Sequence, residues 1–271
     1  MKKISNALPL INELLSENDK ICFNLFYLIA ESESAFWATD RESYIIGQTK
    51  ERLPMWIWIK ENAAEDAIKE IESMIEERLE LNPDLNVIAD ETIIRPILDR
   101  IAERKKVSCN SMIPMVIYRC DKVTNAKKAD GHMVLSNDKH KDILKEFITG
   151  MVWDLEKRPM HEGEAEGFAD GVAGSLDMYL WEDYGQIVSM AMIAHRAEKY
   201  ARINTVYTDS MQRGKGYAGM LVSGITQKIL DEGRIPMLYA ELGNICSNAA
   251  YRRIGYILCG ELTQFQFSNT R

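Results

Sequence analysis

The stretch Asn204–Leu221, N-T-V-Y-T-D-S-M-Q-R-G-K-G-Y-A-G-M-L, limits what this chain can fold into more than any other. A strand pattern over Arg202–Tyr207 runs into Arg213–Gly214–Lys215–Gly216–Tyr217–Ala218, and a helix pattern begins there. Glycines let the backbone turn without a Cβ clash, so several amide N–H groups can point one way. The helix start adds unpaired N–H groups and the positive end of the dipole. Arg213 and Lys215 add positive charge. Together these features describe a place for a diphosphate.

Three loop designs compete. A Walker loop needs Ser or Thr after the lysine, and none follows Lys215. A dinucleotide loop, G-x-G-x-x-G, matches G-K-G-Y-A-G at Gly214–Gly219, but too few strand–helix units remain after it for such a domain. The third, R-x-x-G-x-A at Arg213, Gly216 and Ala218, resembles the pyrophosphate loop of the GNAT acetyltransferase superfamily. The likeness extends downstream to N-I-C-S-N-A-A-Y-R-R-I-G-Y, where Asn244, Ser247, Tyr251 and Gly255–Tyr256 follow the family spacing. Upstream, Tyr179–Met192 is similar to its second and third strands.

The resemblance implies a mixed, twisted α/β (α+β) sheet whose central strands splay, and acetyl-CoA as co-substrate. Backbone groups of Val206, Tyr207 and Thr208 would then face the pantetheine arm and the acetyl carbonyl. Arg213, Gly214, Lys215, Gly216, Tyr217 and Ala218 would hold the pyrophosphate. Asn244 would bond the pantetheine arm, with Ser247 beside it, and Tyr251 would lie by the sulfur as the acid. Glu241, at the end of the preceding strand, is a candidate base; Asp209, Glu182 and His195 are others. The reaction expected is direct acetyl transfer to a primary amine of a small molecule or peptide. A sensor that binds acyl-CoA with little turnover is the alternative.

Composition agrees with this reading. The net charge of −8 repels a phosphate backbone and argues against nucleic acid, while an amine suits it. Cys22, Cys109, Cys120, Cys246 and Cys259 are odd in number and widely spaced, which reads as free thiols in a reducing cytosol. No zinc motif occurs: His161–Glu162–Gly163–Glu164 is too compact for two His on one helix face, so no metal is expected. The start M-K-K-I-S-N lacks the clean apolar run of a signal peptide, and no apolar stretch reaches the ~20 residues that span a bilayer. A cytoplasmic protein away from membranes is expected; a homodimer is compatible with it.

The lysine-rich segment Asp121–Gly131 is the candidate boundary between a domain over 1–120 and the acetyltransferase domain over 121–271. Helices are expected within Leu8–Glu31, broken near Ser16–Asp19, and over Ala63–Leu81, Thr92–Arg104, Asp138–Leu155, Glu162–Gly174, Ala218–Asp231 and Ser247–Ile254. Pro96 is placed in a first turn, Pro114 is read as interrupting a strand at an edge or bulge, and Glu70–Glu80 as a solvated helix face. Trp56 and Trp58 alternate on a strand and are read as packing residues. The strand–helix–strand–helix–strand order over Met55–Tyr118 repeats that of the C-terminal half. It reads either as a degenerate GNAT-like half-domain or as an unrelated α/β domain. Its turn, K-E-N-A-A-E-D-A, has no glycine and three carboxylates, so no diphosphate site is expected there.

Overall fold

A computed structural model describes residues 7–124 and 128–269. The opening M-K-K-I-S-N and the middle of the lysine-rich segment lie outside the described residues. The chain begins with α1 (Leu8–Leu14), α2 (Glu17–Cys22), α3 (Leu25–Ala30), β1 (Phe36–Thr39), β2 (Tyr44–Gln48) and β3 (Met55–Ile59). Then come α4 (Glu65–Leu81), β4 (Asn86–Ala89), α5 (Glu91–Lys105), β5 (Val107–Cys120) and β6 (His132–Leu135). It continues through α6 (Lys141–Glu156), α7 (Glu164–Val172), β7 (Met178–Asp183), β8 (Gln186–Arg196) and β9 (Tyr200–Thr208). Last are α8 (Tyr217–Asp231), β10 (Ile235–Glu241), α9 (Ile245–Ile254) and β11 (Tyr256–Asn269).

Contacts divide the chain into two compact units. The first holds Met1–Ile117, Ala240–Asn244 and Leu258–Arg271; the second holds Tyr118–Tyr239 and Ile245–Ile257. The reading of the sequence assigned all of 121–271 to one domain. The end of the chain joins the first unit because β11 pairs antiparallel with β4, from Thr263↔Ala89 to Gln266↔Asn86.

In the first unit the strand order is β1-β2-β3-β4-β11-β5. The first three strands are antiparallel, and β3 is parallel to β4. The apolar face of α4 (Ala67, Ile71, Met74, Ile75 and Leu79) is buried with Ile46, Ile57, Leu98, Phe265 and Phe267. Trp56 and Trp58 are buried, as packing residues should be. The break after α1 is a capping box: the Ser16 hydroxyl accepts from the Asp19 N–H, and Asp19 accepts from the Ser16 N–H.

Three local expectations need correction. Pro96 is inside α5, past its first turn, where it removes a single helical bond. Pro114 neither breaks β5 nor marks an edge: the strand is continuous, with β11 on one side, and the Pro114 carbonyl accepts from the Leu242 N–H at 2.8 Å. The Glu70–Glu80 run is not merely solvated. Glu72 is buried and accepts from Arg100 Nε at 2.7 Å and Arg104 Nη2 at 2.8 Å. Glu76 meets Arg104 at 2.6 Å, and Glu70 accepts from the Tyr44 hydroxyl at 2.8 Å.

In the second unit the order is β10-β9-β8-β7-β6, antiparallel except for the parallel pair β9/β10. The β7–β8 hairpin turns at Tyr184 and Gly185, both with positive φ, the tight primed turn that suits strand twist. Helices α6 and α7 bury Leu144, Phe147, Ile148 and Ala169 against Met178, Leu180 and Met190. What remains described of the 121–131 segment is pinned. Thr124 N–H donates to the Ile254 carbonyl at 2.7 Å, and the Trp181 indole N–H donates to the Asp130 carbonyl at 2.8 Å.

Candidate active site

The site is built around β9. Its register with β8 runs Met190↔Tyr207 and then Met192↔Asn204, so β9 holds one extra residue. Thr205 sits there at φ 53°, a left-handed conformation unusual for a β-branched residue. Such a bulge bends and twists its strand, and bulges are enriched beside active sites. On the other side, the parallel ladder with β10 runs from Tyr200↔Ile235 to Ile203↔Leu238, while β9 continues to Thr208 and β10 to Glu241. Val206, Tyr207 and Thr208 therefore lie on the stretch beyond the paired part, where backbone groups can bind an extended amide chain.

Past β9 the backbone takes a short 3₁₀ turn, Ser210–Gln212, with Asp209 as its cap: Asp209 Oδ1 accepts from the Met211 N–H at 3.0 Å. Gly214 and Gly216 then adopt φ 80° and 100°. Gly216 is the N-cap of α8 and supplies no side chain, so the first-turn N–H groups of Tyr217, Ala218 and Gly219 have no side-chain cap. A Cβ at Gly214 or Gly219 would meet nothing within 4 Å, so both border open space. An uncapped helix start beside an open glycine loop fits a diphosphate.

The charged side chains of the loop serve largely to shape it. Arg213 Nε donates to the Thr208 carbonyl at 3.1 Å, its guanidinium pairs with Asp154 of α6, and it lies 5.3 Å from the Tyr207 ring centroid. Lys215 is exposed and donates to Gln212 Oε1 at 2.6 Å. The Tyr217 side chain turns away to Asp183, to which its hydroxyl donates at 2.5 Å. That bond, with burial second, raises its pKa to about 12. Tyr217 thus offers the loop its amide and anchors the helix by its ring.

Tyr251 is buried on α9, 6.4 Å from the Tyr118 ring and 6.0 Å from that of Tyr256. Its hydroxyl is hydrogen-bonded by Ser247, and burial pushes its pKa up to about 12 against that bond. The phenol stays protonated across the physiological range. Ser247, one turn before Tyr251, is half-buried. Glu241 and Asn244 are exposed and belong to the segment grouped with the first unit; the Asn244 N–H donates to the Glu241 carbonyl at 3.1 Å. Of the other base candidates, Asp209 is occupied as a cap, Glu182 stands opposite His132 in the backbone ladder of β7 and β6, and His195 is buried opposite Arg202.

Sequence reasoning missed the supports. Asp154 fixes Arg213 from a helix 59 residues away, and no local pattern announces it. Gly150, inside α6, leaves room for the Tyr207 ring, and a glycine amid an amphipathic helix pattern is the signal that was there to read. Among the described residues no group of three or more His, Cys, Asp or Glu side chains is placed to hold a metal ion, and no helix is long and apolar enough to cross a membrane.

Comparison with known proteins adds to this geometry. Residues 184–265 match the family described as FR47-like protein. Curated protein sequences give no match. Among solved structures, a GCN5-related N-acetyltransferase from Kribbella flavida is 13% identical, with a TM-score of 0.63 over 93% of this chain and 96% of that one. A GNAT-family acetyltransferase from Colwellia psychrerythraea is 11% identical, with a TM-score of 0.57 over 99% of both chains. A GCN5-related N-acetyltransferase from Sphaerobacter thermophilus is 14% identical, with a TM-score of 0.56 over 87% and 79%. Residues 184–265 are similar to the FR47-like family, and the chain has the fold of the GNAT acetyltransferases.

Proposed function

We propose that the second unit transfers an acetyl group from acetyl-CoA to a primary amine of a small molecule or peptide, by direct attack. The observation that carries this reading is the bulged strand β9 running into an uncapped, glycine-built helix start. Acetyl-CoA would supply the activated acyl group and a diphosphate handle. The N–H groups opening α8 would hold the diphosphate, and Arg213, fixed by Asp154 and the Thr208 carbonyl, would keep the loop open. Backbone N–H groups near Tyr207 would receive the oxygen that gains charge as the amine attacks.

The proton balance sets the role of Tyr251. The amine nitrogen gains a bond to carbon, the carbon–sulfur bond breaks, the amine loses a proton and the sulfur takes one up. A phenol with a pKa of about 12 is a weaker acid than a thiol near ~8.5, so a full proton transfer from Tyr251 alone runs uphill. It serves the departing sulfur as a hydrogen-bond donor, giving up its proton only as it receives another.

Two measurements test the reading. Acetyl-CoA at a hundredfold excess over its Kd should stabilise the fold by ~2.7 kcal/mol, seen as a raised Tm. A shift with a nicotinamide dinucleotide and none with acetyl-CoA would overturn the assignment. A thiol-release assay over an amine panel then looks for turnover; binding without release from any amine would favour the sensor.

A further inference from the structure

We propose that the first unit carries a separate ligand site, for a small organic anion, in the cavity bordered by β1, the turn after β2 and α4. The cavity holds about 600 Å³, within the range of small-molecule sites, and all its lining residues belong to this unit. The proposal is independent of acetyl transfer.

Charge points to the ligand class. Lys50, Arg52 and Arg78 all line the cavity, with Glu51 as its one carboxylate, in a chain whose net charge is −8. Three other carboxylates of the helix that bears Arg78 are already engaged. On α4, Glu72, Glu76 and Glu80 turn to α5, where Arg100, Arg104 and Lys105 meet them. Among the described residues none of the three cavity cations makes a salt bridge. Arg78 is half-buried, and burial lowers its pKa despite the nearby Glu51 and Glu77. A half-buried guanidinium with no carboxylate at ion-pair distance costs free energy that a bound anion offsets.

The walls are built rather than incidental. Arg78 stacks on the Phe36 ring, 3.8 Å from its centroid, which fixes the plane of the guanidinium and keeps its in-plane N–H donors for acceptors. Trp37 seats over Gly47, where any Cβ would stand 2.7 Å from its ring. The buried Gln48 holds the turn that bears Lys50 and Arg52, its Nε2 donating to the carbonyls of Leu53 at 2.9 Å and Glu51 at 3.3 Å. Its Oε1 is buried without a protein partner. The site fits a carboxylate or phosphate head at Arg78 and Arg52.

The test is calorimetric titration of the full chain with benzoate and with phenyl phosphate, each with and without CoA. At least one probe should bind saturably, with an isotherm that CoA leaves unchanged, and neutral benzyl alcohol should bind about tenfold weaker or less. Which probe binds tells the carboxylate head from the phosphate. Arg78→Gln should abolish binding. Arg52→Glu, on an exposed turn where folding is undisturbed, should weaken it about tenfold or more at unchanged Tm. No saturable binding of either probe up to about 10 mM, displacement by CoA, or equal binding by Arg52→Glu would each overturn the proposal.

Discussion

The hydroxyl of Tyr207 occupies the space that a side chain at residue 150 would need: a Cβ on Gly150 would run into it. Tyr207 belongs to the bulged strand and also packs on Phe147, 5.5 Å between ring centroids, so α6 sets where this strand lies. Gly150→Ala should therefore destabilise the protein by ~1–3 kcal/mol and weaken CoA binding, even though alanine favours a helix by about 1 kcal/mol. Gly167, on α7, is the control. A Cβ there meets nothing within 4 Å, and Gly167→Ala should gain ~0.5–1 kcal/mol. Denaturant unfolding of both variants gives the signs; equal gains would detach Tyr207 from Gly150.

Gly216→Asp tests the phosphate loop. Gly216 has φ 100°, which an L side chain rarely adopts, and it opens α8. The new carboxylate would also face the incoming diphosphate. CoA affinity should fall by about tenfold or more. Unaltered affinity in a CoA titration would move the diphosphate away from this loop.

Tyr251→Phe removes one hydroxyl and keeps the ring between Tyr118 and Tyr256. CoA affinity should change little, while kcat falls by about 10²-fold, the scale seen for loss of one donor to a developing anion. Steady-state kinetics with a working amine, beside a CoA titration, separates the two. An unchanged kcat where chemistry limits the rate would leave Tyr251 a packing residue.

The same residue predicts an alkaline effect. Its pKa of about 12 in the folded chain lies above the ~10 of a free tyrosine. The stability linked to it is therefore fully present below pH ~10 and is lost as the pH rises toward 12. Tyr251→Phe should unfold with a flatter pH dependence in that window, by at most ~1.4 kcal/mol per pH unit. Parallel slopes for mutant and parent would refute it.

Glu72 predicts the opposite pH sign in the first unit. Burial pushes its pKa up, but the hydrogen bonds from Arg104 and Arg100 outweigh that and hold it below the usual glutamate value. Its contribution is present above the unfolded value of ~4.3 and is lost as the pH falls through the folded one. Glu72→Gln should cost ~1–3 kcal/mol near neutral pH and much less in acid. A cost that does not shrink on acidification would mean that packing, not charge, is lost.

What the sequence made legible was local. The apolar face of α4, the Tyr184–Gly185 turn and the glycine loop all rest on periodicity or on φ preferences carried by a few neighbouring residues. What it hid depends on partners far along the chain. Glu72 looks like one charge in a solvated run until Arg100 and Arg104, 28 and 32 residues on, meet it. Pro114 looks like a strand breaker because the lost N–H is visible in sequence, whereas the carbonyl that still binds Leu242 is not. The bulge at Thr205 leaves no mark either, since a β-branched residue argues for an ordinary strand. The loop that would hold the diphosphate was therefore readable, while Asp154, which supports it, was not.

The pairing of β11 with β4 has a consequence for biosynthesis. Asn86–Ala89 leave the ribosome long before Thr263–Gln266, the residues that cover that side of β4. For most of translation this strand has a bare edge, with only β3 beside it, and a bare edge invites pairing with other chains. A nascent chain stalled near Leu258, or a product clipped there, would keep that edge open. Such species should be more prone to aggregate than the finished chain, although every residue of β1 to β4 is already in place.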